Sequence, residues 1–160
     1  MQRPESMSAL DAAAAIERGS LTCEALARAC LERIATREPV IHAWRELDAE
    51  STLARARELD RCHRLGPLHG LPIAIKDIIA TADFPTGYGS SIYADYRPPA
   101  DAACVSLVKA QGAVIAGKTV TTEFAYFQPG PTANPVNPRH TPGGSSSGSA
   151  AAVADWMVPL

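Results

Sequence analysis

A run of glycines and hydroxyl side chains near the end of the chain constrains the fold more than any other segment. Residues 141–149 read TPGGSSSGS, and the alanine-rich segment 150–154 follows at once. A serine–glycine run on its own is typical of a flexible linker. Here, however, small apolar residues follow the run directly, and they favour a tightly packed helix whose free N–H groups would face the serines. The tract therefore predicts an ordered turn that leads into a buried helix.

The composition predicts one globular domain and excludes several classes of partner. The 160 residues are 46% apolar with a net charge of −2, which is enough length and apolar surface for one core. The net charge is close to neutral, so the composition does not indicate binding to nucleic acid or to an anionic membrane. No apolar run is long enough to span a bilayer. The four cysteines are scattered and the N-terminus lacks a signal-peptide pattern. We therefore expect reduced thiols and a cytoplasmic location.

The order of predicted elements indicates an α/β fold. Amphipathic helices are predicted over 8–18 and 22–36, with Ser8 and Thr22 as N-caps and Pro39 closing the second helix. The remaining predictions are a weak strand at 40–44, a charged helix at 48–64, strands at 71–79 and 113–116, a helix at 102–111, and a short helix or turn at 121–127. Such alternation favours a parallel or mixed sheet covered by helices.

One segment matches a phosphate-binding motif without the context that the motif requires. Residues 112–119 read GAVIAGKT, a glycine followed after four residues by glycine, lysine and threonine. In a phosphate loop the middle residues form an open turn between a strand and a helix. Here they are the apolar residues 113–116, which are typical of the strand itself. We expect Lys118 to be a surface residue at the strand end, and a nucleotide-binding module is kept only as an alternative.

Lys76 lies in an apolar run that includes Ile73, Ile75 and Ile78, where lysine is unusual. It could form an ion pair with Asp77 or extend its amine to solvent. Alternatively, desolvation could lower its pKa, so that the neutral amine acts as a base. A serine hydroxyl needs such a base to become a nucleophile, and no histidine has an evident claim. A serine–lysine relay therefore fits the sequence better than a serine–histidine triad.

These features together resemble the amidase signature family. The resemblance is carried by the helical start over 26–34 and by segments 70–77, 112–127 and 134–154, and it is most specific in the tract 141–149. It implies an α/β fold with a mixed β-sheet covered by helices, incomplete in this chain. It also explains the sequence Gly117-Lys118-Thr119, because this ending of a strand is common in the family.

The resemblance also implies a mechanism and roles for three residues. Members of the family cleave amides through an acyl-enzyme, with a serine nucleophile, a bridging serine and a lysine, and without a metal or organic cofactor. Lys76 would be the base, and Ser145 the bridging serine, which would follow a cis peptide bond after Gly144. Ser146 would be a supporting hydroxyl that helps to hold the lysine. The nucleophile would lie beyond residue 160, and residues 121–127 would line the acyl pocket.

The expected domain assignment is therefore partial. Residues 1–160 would be the N-terminal part of one amidase signature domain, with a mainly helical start over 1–64 and a core over 65–160 that carries the lysine and serine motifs. The apolar ending at 157–160 is more typical of a strand than of a mobile terminus. Because the nucleophile and the oxyanion donors would be missing, we expect no turnover from these residues alone.

The resemblance leaves the substrate and partners open. The expected partner is a small-molecule amide, and a homo-oligomer is possible. The alternative within the family is the amidotransferase component that acts on misacylated tRNA together with partner subunits. Two positions depart from the family pattern: Ser147 stands where many members have glycine, and Trp156 stands where glycine is usual. We expect the indole of Trp156 to clash with close packing.

Overall fold

The computed structural model describes residues 3–160 and has the predicted α/β fold. Three 3-10 turns, Pro4–Ser6, Ser91–Tyr93 and Glu123–Ala125, accompany the regular elements within this range. The regular elements in chain order are α1 (Ala9–Glu17), α2 (Cys23–Ile41), β1 (Trp44–Leu47), α3 (Ala49–Leu59), β2 (Pro72–Lys76), α4 (Ala103–Ala110), β3 (Val114–Thr119) and α5 (Ser147–Ala154). None of the helices among these residues is both long and apolar enough to cross a bilayer.

The three strands form a mixed sheet, as predicted. The order is β1-β3-β2, with β3 parallel to β2 and antiparallel to β1. The register places Lys76 beside Thr119 and Ile75 beside Lys118 at the carboxyl ends of β2 and β3. Because successive side chains of a strand point to opposite faces, Lys76 and Lys118 lie on opposite faces of the same sheet edge.

Local capping explains where the helices begin. The predicted N-caps are confirmed: Ser8 Oγ accepts from the N–H of Asp11 at 3.1 Å, and Thr22 Oγ1 accepts from the N–H of Ala25 at 3.0 Å. Such side-chain oxygens satisfy N–H groups that have no partner within the helix. The Asp60 carboxylate, just after α3, accepts from the first N–H groups of α2 and so ties the two helices together.

The prediction that Pro39 closes the second helix is wrong. Helix α2 continues to Ile41 and ends at His42, whose φ of 53° lies in the left-handed region. The Glu38 carboxylate accepts from the N–H groups of Ala43 and Trp44 at 2.9 Å each, which stabilises the chain beyond the helix end. The predicted strand at 40–44 accordingly begins only at Trp44.

Helix α5 is held in the core by both packing and charge. Its Ala151 and Ala152 are fully buried against Ile34 and Ile41 of α2. At its C-terminal end, Asp155 receives two charged hydrogen bonds of 2.7 Å, from Arg33 Nη2 and Arg37 Nε. Because the side chain of Asp155 is almost completely buried, these pairs fix the direction of α5 relative to α2.

The expected clash at Trp156 does not occur. The residue is 48% exposed, so its indole lies at the surface rather than within the core. Its φ is 60°, a left-handed conformation that glycine adopts without steric cost. The disadvantage of tryptophan at this position is therefore a matter of backbone conformation and not of side-chain volume. The next two residues, Met157 and Val158, are buried.

Candidate active site

The two main residues predicted for the site are in direct contact. Lys76 Nζ donates a hydrogen bond to Ser145 Oγ at 2.7 Å, across 69 positions of sequence. Lys76 is the last residue of β2, and Ser145 lies in the glycine-rich turn just before α5. The contact therefore forms where the edge of the sheet meets the start of this helix.

The small residues of the tract allow α5 to lie directly against the sheet. A Cβ atom at Gly148 would lie 2.2 Å from the carbonyl oxygen of Ala43 and 2.4 Å from the nitrogen of Val120, so only glycine fits. The N–H of Gly148 donates to the carbonyl of Val120 at 2.9 Å. One residue on, the hydroxyls of Ser149 and Thr119 are 2.7 Å apart. These contacts fix the helix start at the end of β3.

The backbone of Ser145 is held as firmly as its side chain. The peptide bond between Gly144 and Ser145 is cis, as the resemblance implied. The carbonyl of Ser145 accepts from the N–H of Thr122 at 3.1 Å and from Thr121 Oγ1 at 3.2 Å. The residue is thus bonded to Lys76 through its hydroxyl and to the segment after β3 through its main chain.

The surroundings of Lys76 make its amine easier to deprotonate than that of an exposed lysine. The side chain is partly buried, and this desolvation lowers the pKa of Lys76 below its ordinary value of 10.5. Within residues 3–160, no carboxylate forms an ion pair with Lys76, and Asp77 is bonded elsewhere. The proposed Lys76–Asp77 ion pair is therefore absent from this part of the chain, and the partner of Lys76 is a hydroxyl.

The prediction that Lys118 lies at the surface is wrong. Its side chain is 0% exposed, although the strand assignment that accompanied the prediction is confirmed by β3. Lys118 Nζ lies 3.1 Å from Asp77 Oδ1, and it donates to Thr86 Oγ1 at 2.7 Å and to the carbonyl of Pro85 at 3.1 Å. Desolvation lowers the pKa of Lys118, with Asp77 acting in the opposite direction. Residues 113–116 belong largely to the strand and do not form a phosphate loop.

The predicted supporting residue, Ser146, follows Ser145 directly in the chain. Ser146 is exposed and occupies the N-cap position of α5; its Oγ makes no hydrogen bond to Lys76 within the described chain. Its role as a supporting hydroxyl therefore stays a prediction. His140, the histidine nearest to the tract in sequence, is exposed in the preceding loop. Residues 3–160 contain no cluster of three or more histidine, cysteine or carboxylate side chains that could hold a metal ion.

An open cleft of about 410 Å³ lies in front of Ser145. Its lining includes Gly143, Gly144 and, from the predicted segment 121–127, Thr122, Tyr126 and Phe127. The aromatic side chains are largely exposed, and the rings of Tyr126 and Phe127 contact each other at 4.4 Å between centroids. Thr122 Oγ1 is buried without a hydrogen-bond partner in the described residues, a feature that the sequence did not indicate.

The mixed sheet, the glycine-rich turn and the lysine–serine contact define the class of protein as the amidase signature fold. Comparison with known proteins agrees with this class. A model of the amidase family matches residues 25–160. The chain belongs to the amidase family.

Similar proteins include both transferases and hydrolases by name. The chain is 45% identical over 158 residues to the A subunit of glutamyl-tRNA(Gln) amidotransferase from Chloroflexus aurantiacus, covering 92% of this chain and 32% of that protein. Its counterpart from Streptomyces coelicolor is 41% identical, with 96% and 33% covered. The solved structure of native peptide amidase from Stenotrophomonas maltophilia superposes with a TM-score of 0.88 at 37% identity, over 96% of this chain and 35% of that chain. The chain thus spans about a third of the length of the relatives it matches.

Proposed function

We propose that this chain carries the lysine base and the bridging serine of an amide-cleaving enzyme whose nucleophilic serine lies outside these 160 residues. The observation that carries the proposal is the 2.7 Å hydrogen bond between Lys76 Nζ and Ser145 Oγ. Membership of the amidase family supports amide chemistry in general. In this proposal the 160 residues are the N-terminal portion of one catalytic domain.

The proposed mechanism is a proton relay in two steps. The neutral amine of Lys76 accepts the proton of the Ser145 hydroxyl, while Ser145 Oγ accepts the proton of the nucleophilic serine as that serine attacks the amide carbonyl. The relay then runs in reverse and delivers a proton to the leaving nitrogen, so that the C–N bond breaks and an acyl-enzyme remains. A second passage with water as the nucleophile releases the acid, and the enzyme returns to its first state.

The geometry of the cleft supports a small-molecule amide as substrate. The cleft opens in front of Ser145, and the exposed rings of Tyr126 and Phe127 give one wall an apolar character. A substrate held there would bring its carbonyl close to the bridging serine.

A second candidate function is the transfer of ammonia to misacylated tRNA. It is favoured by the identity of 45% to an amidotransferase component, compared with 37% to the peptide amidase. In that case the same relay would release ammonia from a donor amide, and partner subunits would carry it to the glutamyl-tRNA. Formation of amidated tRNA that depends on ATP would identify this function, whereas free ammonia alone would identify the hydrolase.

The test uses the protein isolated from its natural source, in the length that the source produces. Its intact mass is compared with the 16.9 kDa of these residues, and ammonia release is measured from glutamine and from a peptide amide. Lys76→Ala and Ser145→Ala should each lower the rate by about 100-fold or more, because a general base contributes at least this factor. Val153→Ala, an exposed change on α5, is the matched control and should leave the rate unchanged. Amide cleavage that survives Lys76→Ala would overturn the proposal.

The proposed mechanism also predicts how the rate of amide cleavage changes with pH. Since the base must be neutral, the rate should rise with pH through the pKa of Lys76, which desolvation places below 10.5. In addition, the 160 residues alone should show no turnover. Hydrolysis by these residues alone, abolished by Lys76→Ala, would contradict the placement of the nucleophile outside them.

A further inference from the structure

The buried Lys118 has no part in the proposed relay, although it directly precedes Thr119, which lies beside Lys76 in the sheet. Its register partner is Ile75, while Thr119 is the partner of Lys76. Lys76 and Thr119 therefore share one face of the sheet, and Lys118 lies on the other face. On the first face, Lys76 and Thr119 each contact a serine hydroxyl. On the second face, Lys118 forms an ion pair with Asp77.

The ion pair neutralises the carboxylate that follows Lys76 directly in sequence. Asp77 is 1% exposed, and its two carboxylate oxygens accept from the N–H of Gly87 at 3.2 and 3.1 Å. Lys118 Nζ lies 3.1 Å from Oδ1. A buried carboxylate without a cation would attract the nearest ammonium strongly, because charges interact more strongly in the protein interior than in water. The nearest alternative in sequence is Lys76 itself.

We infer that Lys118 is a positioning residue for the proposed base: by neutralising Asp77 on the opposite face of the sheet, it leaves Lys76 free to bond Ser145 as an uncharged amine. The inference rests on the proposed function, because the neutral form matters only if Lys76 is a base. It also explains why a lysine is fully buried at the end of β3, where a phosphate-binding role does not fit the strand geometry.

The other charged groups on the elements packed around β2 and β3 have polar partners or are exposed. On α3, Arg55 pairs with Glu58 and Arg57 pairs with Glu24, whereas Glu50 on α3 and Glu32 on α2 are exposed. β1 brings Glu46, α2 brings Arg33, Arg37 and Glu38, and α5 brings Asp155. Glu46 pairs with Arg45, Glu38 accepts from the N–H groups of Ala43 and Trp44, and Asp155 pairs with Arg33 and Arg37. Asp77 is buried and follows Lys76 directly in sequence, so the loss of Lys118 would leave an unpaired buried charge beside Lys76.

The experiment measures the titration of Lys76 without using turnover. The protein, in the length that its natural source produces, is acetylated with a trace of acetic anhydride at a series of pH values. Mass spectrometry then measures the extent of acetylation of the peptide that contains Lys76. Lys118→Gln, which still offers donors to Thr86 and Pro85, should raise the pKa of Lys76 by about one unit or more, because Asp77 is then an unpaired anion. Asp77→Asn should lower it, because Lys118 is then an unpaired cation.

Two further variants complete the design. The double change Asp77→Asn with Lys118→Gln removes both charges and should return the titration of Lys76 to the wild-type position. Lys109→Gln removes another partly buried lysine that pairs with two carboxylates, Asp83 and Asp101, and should not move it. Circular dichroism and thermal melting establish that each variant is folded before it is titrated.

Opposite movements of the two single variants support the inference. An unchanged titration of Lys76 in folded Lys118→Gln, or movement in the same direction in both single variants, overturns it. If only one of the single variants folds, the direction in which the pKa of Lys76 shifts in that variant decides the outcome. If neither folds, the double variant decides it: a Lys76 that titrates at a different pH from wild type overturns the inference. Where turnover is measured, the rising limb of the pH–rate profile should move with Lys76. A total absence of amide cleavage would refute the proposed function while leaving this titration intact.

Discussion

Two lysines at the end of the same sheet have opposite surroundings. Lys118 has a carboxylate, a hydroxyl and a carbonyl oxygen around its amine and is completely buried. Lys76 is partly exposed and has one hydroxyl partner, Ser145. Three oxygen atoms around the Lys118 amine satisfy a charged ammonium, whereas Lys76 has one hydroxyl partner and a pKa that desolvation lowers. Neighbouring positions of two strands thus give one lysine a structural ion pair and leave the other with the single hydroxyl contact on which the proposed function rests.

The largest expected effect is a difference in stability between the two lysines. Lys118→Met should lower the free energy of unfolding by about 3–5 kcal/mol, because it leaves the buried carboxylate of Asp77 without its cation. Lys76→Met removes one hydrogen bond at a partly exposed position and should change it by about 1 kcal/mol or less. Urea denaturation at 25 °C measures both. Equal losses in the two variants would contradict the distinction between a structural and a chemical lysine.

A change in α5 should affect Lys76 and leave the pair of Lys118 intact. Gly148→Ala should lower the free energy of unfolding by about 1–3 kcal/mol, because the new Cβ meets backbone atoms of Ala43 and Val120 that cannot move aside. As the helix start moves away from β3, Ser145 should lose its contact with Lys76, and acetylation of Lys76 should become faster. Val153→Ala on the exposed side of the helix serves as the control. Unchanged stability in Gly148→Ala would show that the close approach is not needed.

The smallest effect is expected at the other end of α5, away from both lysines. Because Trp156 has a φ of 60°, Trp156→Gly should be more stable than Trp156→Ala by about 1 kcal/mol, as glycine alone adopts this conformation without a steric penalty. Thermal melting of the two variants gives the difference. The titration of Lys76 should be the same in both. Equal melting temperatures would contradict the backbone explanation for tryptophan at this position.

The sequence predicted those features whose causes are local. Ser8 and Thr22 cap helices through hydrogen bonds to residues three positions away, so the residue types and their spacing suffice. The strand in 112–119 was likewise predicted from its own apolar residues. The contact between Lys76 and Ser145 has a different origin, because it spans 69 positions and was inferred from resemblance to a family.

The features that the sequence did not predict depend on distant partners. Lys118 is buried because Asp77, Thr86 and the carbonyl of Pro85 converge on it, and the last two come from the loop after β2. Helix α2 continues past Pro39 to Ile41, and the Glu38 side chain bonds N–H groups that follow the helix end. In both cases the residue type alone favours the opposite prediction, and only the fold supplies the oxygen atoms or N–H groups that reverse it.

The pairing of Asp155 with α2 has a consequence for the order of folding. The bond between Arg33 and Asp155 closes a loop across 122 positions, and this loop contains both β2 and the whole serine tract. Closing so long a loop has a high entropic cost, and contacts at such separations generally slow folding. During synthesis, the helices near the N-terminus emerge long before Asp155 does. We therefore expect Lys76 and Ser145 to meet late in folding, when α5 packs against α2.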